Sequence, residues 1–332
     1  MRKYVKTMGI SLAAMLMLAG CGSNESAGGT SSGGKDKTYK VGISQFAPHP
    51  SLDAATEGFK KALEEKGLKV EFDDQNAQGE QPNAQVIAQN FAGDDVDLIF
   101  ANATPSAIAA LNVTKEIPIL FTSVTDPVGA GLVKAFDQPG DNITGTTDNH
   151  PDATKKTIDF MTKEVGAKKI GVVYNAGEQN SVVQVKAVEE LAKANGASIV
   201  EVSVSTTAEV KQAAESLVGR VDAIYVPTDN TVVSALDSVI SVANEKKIPL
   251  FVGELDSMKK GAVAASGFSY NDLGYETGLM AVDILTGKKK PSDIQVALPQ
   301  SLALMINKKA AEAQGLTVKD EWKNVGEFYE GE

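Results

Sequence analysis

Cysteine, histidine and tryptophan are nearly missing from this 332-residue chain, which has one Cys, two His and one Trp. A lone cysteine excludes an intramolecular disulfide, so the fold must rest on its core. The two histidines, His49 and His150, each stand directly before a proline and outside any HExxH or HxxEH spacing, and no GxSxG elbow occurs. That removes the usual sequence marks of a zinc site or a nucleophilic triad. His150 reads as a turn residue, whereas His49 reads equally as a ligand-site loop or a capping loop. Also absent are a GxGxxG at the first strand-to-helix junction, ISQFAPHPSLD, and a Walker A motif, which speaks against an NAD- or ATP-using enzyme. Positive charge is scarce as well: 32 Lys+Arg face 43 Asp+Glu, a net charge of −11, with no basic stripe. Nucleic acid and anionic lipid surfaces are therefore not expected partners.

What is present begins at the N-terminus. Arg2, Lys3 and Lys6 precede a short apolar run over residues 10–18, and Leu18-Ala19-Gly20 leads into Cys21. This is the layout of a secretory signal over residues 1–20, too short to span a bilayer. Leu-Ala-Gly-Cys resembles the bacterial lipobox, which implies lipidation of Cys21 and anchoring at the extracytoplasmic face of the membrane. Residues 21–37 follow as a tether; GSNESAGGTSSGGKDK holds nothing apolar and has a flexible reach of roughly 20–25 Å. The remaining length is one at which chains usually split into two domains.

From Tyr39 onward, short apolar runs alternate with amphipathic stretches. YKVGISQ, LKVEFD, VDLIFA, IPILFT and NITGTT read as strands, with helices between them at residues 51–66, 81–91 and 106–113. The pattern restarts with KKIGVVYN, SIVEVSV, VDAIYVP and IPLFVG, separated by helices at 181–195, 208–218 and 231–246. A third block adds the strand GAVAASGF, a helix at 272–286 and the strand DIQVALP. Alternating β and α with nearly continuous apolar strands predicts an α/β fold with parallel sheets covered on both faces.

Six polar, turn-forming segments fall at the carboxyl ends of strands: 44–53, 101–107, 122–131, 174–183, 226–233 and 253–257. In doubly wound sheets these ends line the ligand crevice. Taken singly, Thr104, Ser106, Asn180, Ser181, Thr228 and Asn230 read as helix caps worth around 1 kcal/mol each. Taken together, three segments from each half converge if the halves face one another. Helix N-termini would then meet an anion, and Asp126, Asp229 or Glu254 would answer a cationic amine. That set suits a zwitterion such as an amino acid; a sugar or nucleoside remains an alternative.

VGISQFAPHPSLDAATEGFKKALEE, QNAQGE, ANATPSA, SVTDPVGAGLV, YNAGEQNS and PTDNTVVSA together resemble the ABC transporter substrate-binding lipoproteins related to tryptophan/tyrosine-binding proteins. The resemblance covers about residues 38–316. It implies a type I periplasmic-binding fold: two Rossmann-like, doubly wound parallel-sheet domains joined by a three-crossover hinge. With crossovers expected near 147–152, 253–256 and 287–295, the domains become 38–148 plus 257–287 and 149–252 plus 292–332. The resemblance further implies a monomer that captures an amino acid, aromatic favoured, and delivers it to ABC permease and ATPase subunits, without cofactor, metal or catalysis. A sensor domain of the same fold and a secreted enzyme are the rival readings. Carried over by position, Gln45, Ala103, Thr104, Ser106, Ser123 and Thr125 would line one wall of the pocket. Asn175, Glu178, Asn180, Ser181 and Asp229 would line the other. Asp229 is expected to hold the ligand amine and the Thr104/Ser106 helix start its carboxylate, with Phe46, Phe121 and Tyr270 the candidates for an aromatic subsite.

Overall fold

The computed structural model describes residues 37–331. The leader, Cys21 and the tether as far as residue 36 lie outside the described residues. Among those described, no helix is long and apolar enough to cross a membrane.

Two sheets organise the chain. The first contains β1 (Thr38–Gln45), β2 (Lys69–Asn76), β3 (Leu98–Asn102), β4 (Ile119–Val124) and β5 (Ile143–Thr147), in the order β2-β1-β3-β4-β5 and all parallel. The second contains β6 (Lys169–Asn175), β7 (Ser198–Val204), β8 (Ala223–Val226), β9 (Leu250–Val252), β10 (Ala264–Gly267), β11 (Ala303–Asn307) and β12 (Glu327–Tyr329), in the order β12-β11-β10-β9-β8-β6-β7. Only the β10–β11 pair is antiparallel. LIFAN in β3 and ILFTSV in β4 are buried at every position, as strands covered on both faces must be.

The helices in chain order are α1 (Pro50–Glu65), α2 (Gln81–Gly93), α3 (Thr104–Val113), α4 (Ala153–Asp159), α5 (Gln179–Ala194), α6 (Val210–Ser216), α7 (Asn230–Ser234), α8 (Leu236–Lys246), α9 (Leu255–Lys259), α10 (Tyr270–Leu285) and α11 (Lys308–Ala313). The helix expected over 231–246 is broken at Ala235 into α7 and α8. Phe59 of α1 stacks on Phe100 of β3 with ring centroids 3.9 Å apart. Trp322 is buried edge-on against Phe160 at 5.1 Å, so it is a packing residue of the second lobe.

The third block differs from expectation in a way that bears on the hinge. The segment 257–287 was expected to lie wholly with the first domain, but β10 pairs with β9 and β11 in the second sheet. Only α10 crosses back, where it lies against α1. Two glycines make that contact possible: a Cβ on Gly58 would fall 2.0 Å from the Asn271 carbonyl oxygen, and one on Gly274 would fall 1.9 Å from that of Ala55. The segment DIQVALP is not a strand, and residues 292–297 do not join the second sheet. Thr144 Oγ1 donates to the Ile294 carbonyl at 2.6 Å, and Ala297 exchanges backbone hydrogen bonds of 3.0 Å with Gly145 and Thr147 of β5. The chain thus passes between the sheets after β5, after β10 and after Ala297. Apolar periodicity predicted β10 and α10, but it carries no information on which of two sheets takes a strand.

Candidate functional site

The carboxyl ends of β1, β4, β5, β8 and β9 and the start of α5 meet between the two lobes. They enclose a narrow cavity with only about 10 Å³ of free volume, lined by His49, Leu52, Ser123, Asp148, Asn180, Thr228, Asn230, Val233, Glu254 and Tyr270. That is about the room one water takes and far below the roughly 300–1,000 Å³ common for small-molecule sites, so the site is nearly shut in this structure. A hollow of about 280 Å³ on the second lobe, beside Lys156, Phe160 and Val325, is larger but lies away from the strand ends. A third hollow, of about 280 Å³, opens at the rim between Gln81, Thr104 and Pro105 of the first lobe and Gly177 and Gln179 of the second.

The lobes are already drawn together. Gln81 Nε2 donates to the Gly177 carbonyl at 3.0 Å, Gln184 Nε2 lies 3.4 Å from Thr125 Oγ1, and His49 Nε2 lies 3.3 Å from Asn230 Oδ1. Each of these pairs bridges the two sheets.

Two strand ends leave the ordinary backbone regions. Ala103, at the end of β3, has φ 90°, and Ser123, near the end of β4, has φ 56°. At Ser123 the β4–β5 register also shifts between Phe121 and Val124. Bulges of this kind re-aim side chains, and strained non-glycine residues concentrate where ligands are held. The Ser123 hydroxyl is buried and has no hydrogen-bond partner.

Two groups of buried carboxyl side chains sit near one another and differ sharply. Asp229 caps α7 through the Val232 amide at 2.8 Å and also accepts from the Asn175 amide and Ser181 Oγ, both at 2.6 Å. Glu178 accepts from the backbone amides of Asn230 and Thr231 and from the Asn230, Thr231 and Asn180 side chains. Burial, then the nearby Glu178, pushes the Asp229 carboxyl upward. These two acids are internally satisfied and tie β6, α5 and α7 together. Asp148 and Glu254 instead line the cavity. Asp148 Oδ2 accepts from the Tyr270 hydroxyl at 2.9 Å, while its Oδ1 is buried without a partner. Burial pushes Asp148 up to about 6, opposed by hydrogen bonds from Tyr270 and Thr125 and reinforced by Glu254. Glu254 is 2% exposed and accepts from Ser257 Oγ.

The structure separates the expected site residues. Ser123 and Asn180 line the cavity, and Thr125 supports it from behind through Gln184 and Asp148. Thr104 faces the rim hollow instead, and Ala103 is the strained residue before it. Gln45 is occupied by Ala47, Asp53 and Thr56, and Ser106 by Ser44. Asn175, Glu178 and Ser181 belong to the internally satisfied network, and so does Asp229, which was expected to hold an amine. Its oxygens are committed to amides and a hydroxyl of the protein, and the carboxyl oxygen that lines the cavity without a partner is Asp148 Oδ1. Asp148 had been read as part of the crossover. Of the aromatic candidates, Tyr270 lines the cavity, stacked on Phe268 at 5.4 Å, whereas Phe46 and Phe121 are buried in the first-lobe core.

Known proteins place these observations. Residues 40–325 match the family described as ABC transporter substrate binding protein. A protein named tyrosine-binding protein from Clostridioides difficile is 44% identical over 324 residues, covering 94% of this chain and 93% of its own. A crystal structure of an ABC domain in complex with L-Trp from Streptococcus pneumoniae is 30% identical with a TM-score of 0.82, covering 88% and 99% of the two chains. A ligand-free, open structure of a substrate-binding protein with adhesive properties from Clostridium difficile is 44% identical, yet its TM-score is only 0.64, covering 89% and 100%. Higher identity with a lower TM-score fits a difference in closure rather than in sequence. The three hydrogen bonds between the lobes put the present structure at the closed end.

Proposed function

On the premise that this chain belongs to the ABC transporter substrate-binding protein family, with the type I periplasmic-binding fold, we propose that it captures an aromatic amino acid by hinge closure. The importer is the second half of this reading: the leader and Cys21 would tether the clamp at the outer face of the membrane, from which it delivers to a permease. One chain holds the whole site, and the role needs neither catalytic group nor cofactor. In this reading the lobes divide near residues 148, 268 and 298.

One observation carries the proposal. Four buried polar atoms without partners, His49 Nδ1, Ser123 Oγ, Asp148 Oδ1 and Asn180 Oδ1, belong to residues lining one interlobe cavity. An unmet buried group costs about 1–3 kcal/mol, and a zwitterion offers them an ammonium and a carboxylate. Leu52, Val233 and the Tyr270 ring supply apolar surface for a side chain. The names of the relatives point to tyrosine or tryptophan. Because the ligand would bind both lobes, it stabilises the closed state by its differential affinity. A thermal-shift screen of amino acids, nucleosides and sugars tests this. An aromatic amino acid at 100 times its Kd should stabilise the fold by about 2.7 kcal/mol; a response to sugars or nucleosides alone would sink the proposal.

A further inference from the structure

The hydrogen-bonding polarity of the cavity can be worked out atom by atom. Glu178 accepts from Asn230 Nδ2, which fixes that amide and turns Asn230 Oδ1 toward His49. An oxygen there requires a proton on His49 Nε2, so the neutral ring presents Nδ1 as an acceptor. Asn180 is fixed in the same way, because its Nδ2 donates to Glu178 at 3.2 Å and to the Thr228 carbonyl at 3.1 Å. Its free atom is the carbonyl oxygen Oδ1. Asp148 Oδ1 is a third free acceptor, and the Ser123 hydroxyl is the one unpartnered group able to donate. His49, Ser123 and Asn180 are each more than nine-tenths buried. The lining also holds the Asp148 and Glu254 carboxyl groups, and no Lys or Arg among the described residues.

A cavity so rich in acceptors and poor in cations is complementary to a cluster of donors bearing positive charge. Building on the function proposed above, we infer that the ligand's ammonium group is its principal anchor, so that this site also takes primary arylalkylamines that carry no carboxylate. The asymmetry follows from what each deletion leaves behind. A ligand without its ammonium leaves two buried carboxyl groups with no counter-charge, the costly case for a broken buried pair. A ligand without its carboxylate leaves one neutral hydroxyl unmet, a far smaller loss.

Isothermal titration at pH 7.5 tests this on full-length mature protein stripped of co-purified ligand by unfolding and refolding. The ligands are tyrosine, tryptophan, tyramine, tryptamine and 3-(4-hydroxyphenyl)propionate. The expected result is that tyramine binds within about 30-fold of tyrosine, while the propionate binds at least about 100-fold more weakly than tyrosine. Ser123→Ala should weaken tyrosine several-fold and leave tyramine within about twofold, whereas Glu254→Gln should weaken both. Propionate binding as tight as tyramine overturns the inference, as does tyrosine or tryptophan binding with no response to either amine. A response to none of the five ligands overturns the amino-acid reading together with this one.

Discussion

Asp148→Asn is the substitution in which binding and stability should move in opposite directions. Asparagine keeps the side-chain shape and can still accept from the Tyr270 hydroxyl, which lies 2.9 Å from the carboxylate. What it removes is charge. If the ligand's ammonium rests on Asp148 Oδ1, one charge-assisted hydrogen bond disappears, worth about 1.5–3 kcal/mol, so Kd should rise roughly 10- to 150-fold. Stability of the unliganded protein should change the other way. Burial raises the Asp148 pKa to about 6, above the unfolded value near 3.9, so the folded state favours the protonated acid. Its contribution to stability is present below about pH 4 and is lost as pH rises toward 6; at neutral pH the ionised group weighs against folding. The variant escapes that penalty, whose ceiling for a two-unit shift is about 3 kcal/mol. Since Asp148 as a residue is only partly buried, a gain of about 1 kcal/mol is expected. Isothermal titration with tyrosine and urea denaturation of the unliganded protein at pH 7.5 read the two effects separately. A Kd within threefold of the wild type, or a variant less stable than the wild type, would refute the assignment.

Two further outcomes follow from the same geometry. Asp229→Ala removes a helix cap worth about 1 kcal/mol and strands the part-buried Asn175 amide and the buried Ser181 hydroxyl. Denaturant melts should show a loss of about 3 kcal/mol, while the folded fraction binds tyrosine within several-fold of the wild type; lost binding with an unchanged melt would restore Asp229 as a ligand residue. Tyrosine affinity measured from pH 7.5 to 5 should fall as pH drops through about 6, approaching tenfold per pH unit, because the ammonium needs the Asp148 carboxylate. The Asp148→Asn protein should show a flat profile over that window, and an equally steep one would assign the titration elsewhere.

Much of the architecture was legible because strand patterning is a local signal. The buried runs of β3 and β4 announced a covered parallel sheet, and the restart at KKIGVVYN announced the second lobe. Sheet membership was not legible for β10, since Ala264–Gly267 would be equally buried in either sheet. For the site, the rule that ligands gather at the carboxyl ends of strands led to the rim of the interlobe cavity, which Ser123 and Asn180 line. It did not rank the residues, because an Asp at such an end serves a cap and a ligand equally well in sequence. The signal for Asp148 was available in the same rule: it directly follows the last residue of β5, Thr147. Reading it as a crossover residue hid it, although a hinge between two lobes is also where their shared cavity closes.

The contrast between the two acidic pairs explains why one rim can serve both purposes. Glu178 and Asp229 spend their oxygens on amides and hydroxyls of β6, α5 and α7, and Glu178 also holds the Asn180 and Asn230 side chains in fixed orientations. Those two side chains in turn fix which atom of Asn180 and of His49 faces the cavity. Pre-organised acceptors bind more tightly because the ordering cost is met in folding rather than in binding. On the proposed reading, Glu178 would therefore contribute to recognition without touching a ligand, through the polarity it imposes on its neighbours. Asp148 is the reverse case, one oxygen held by Tyr270 and the other left unmet. An acid left unmet in a closed cavity costs stability until a cation arrives, and on the proposed reading that cost is recovered as affinity for the ligand that supplies one.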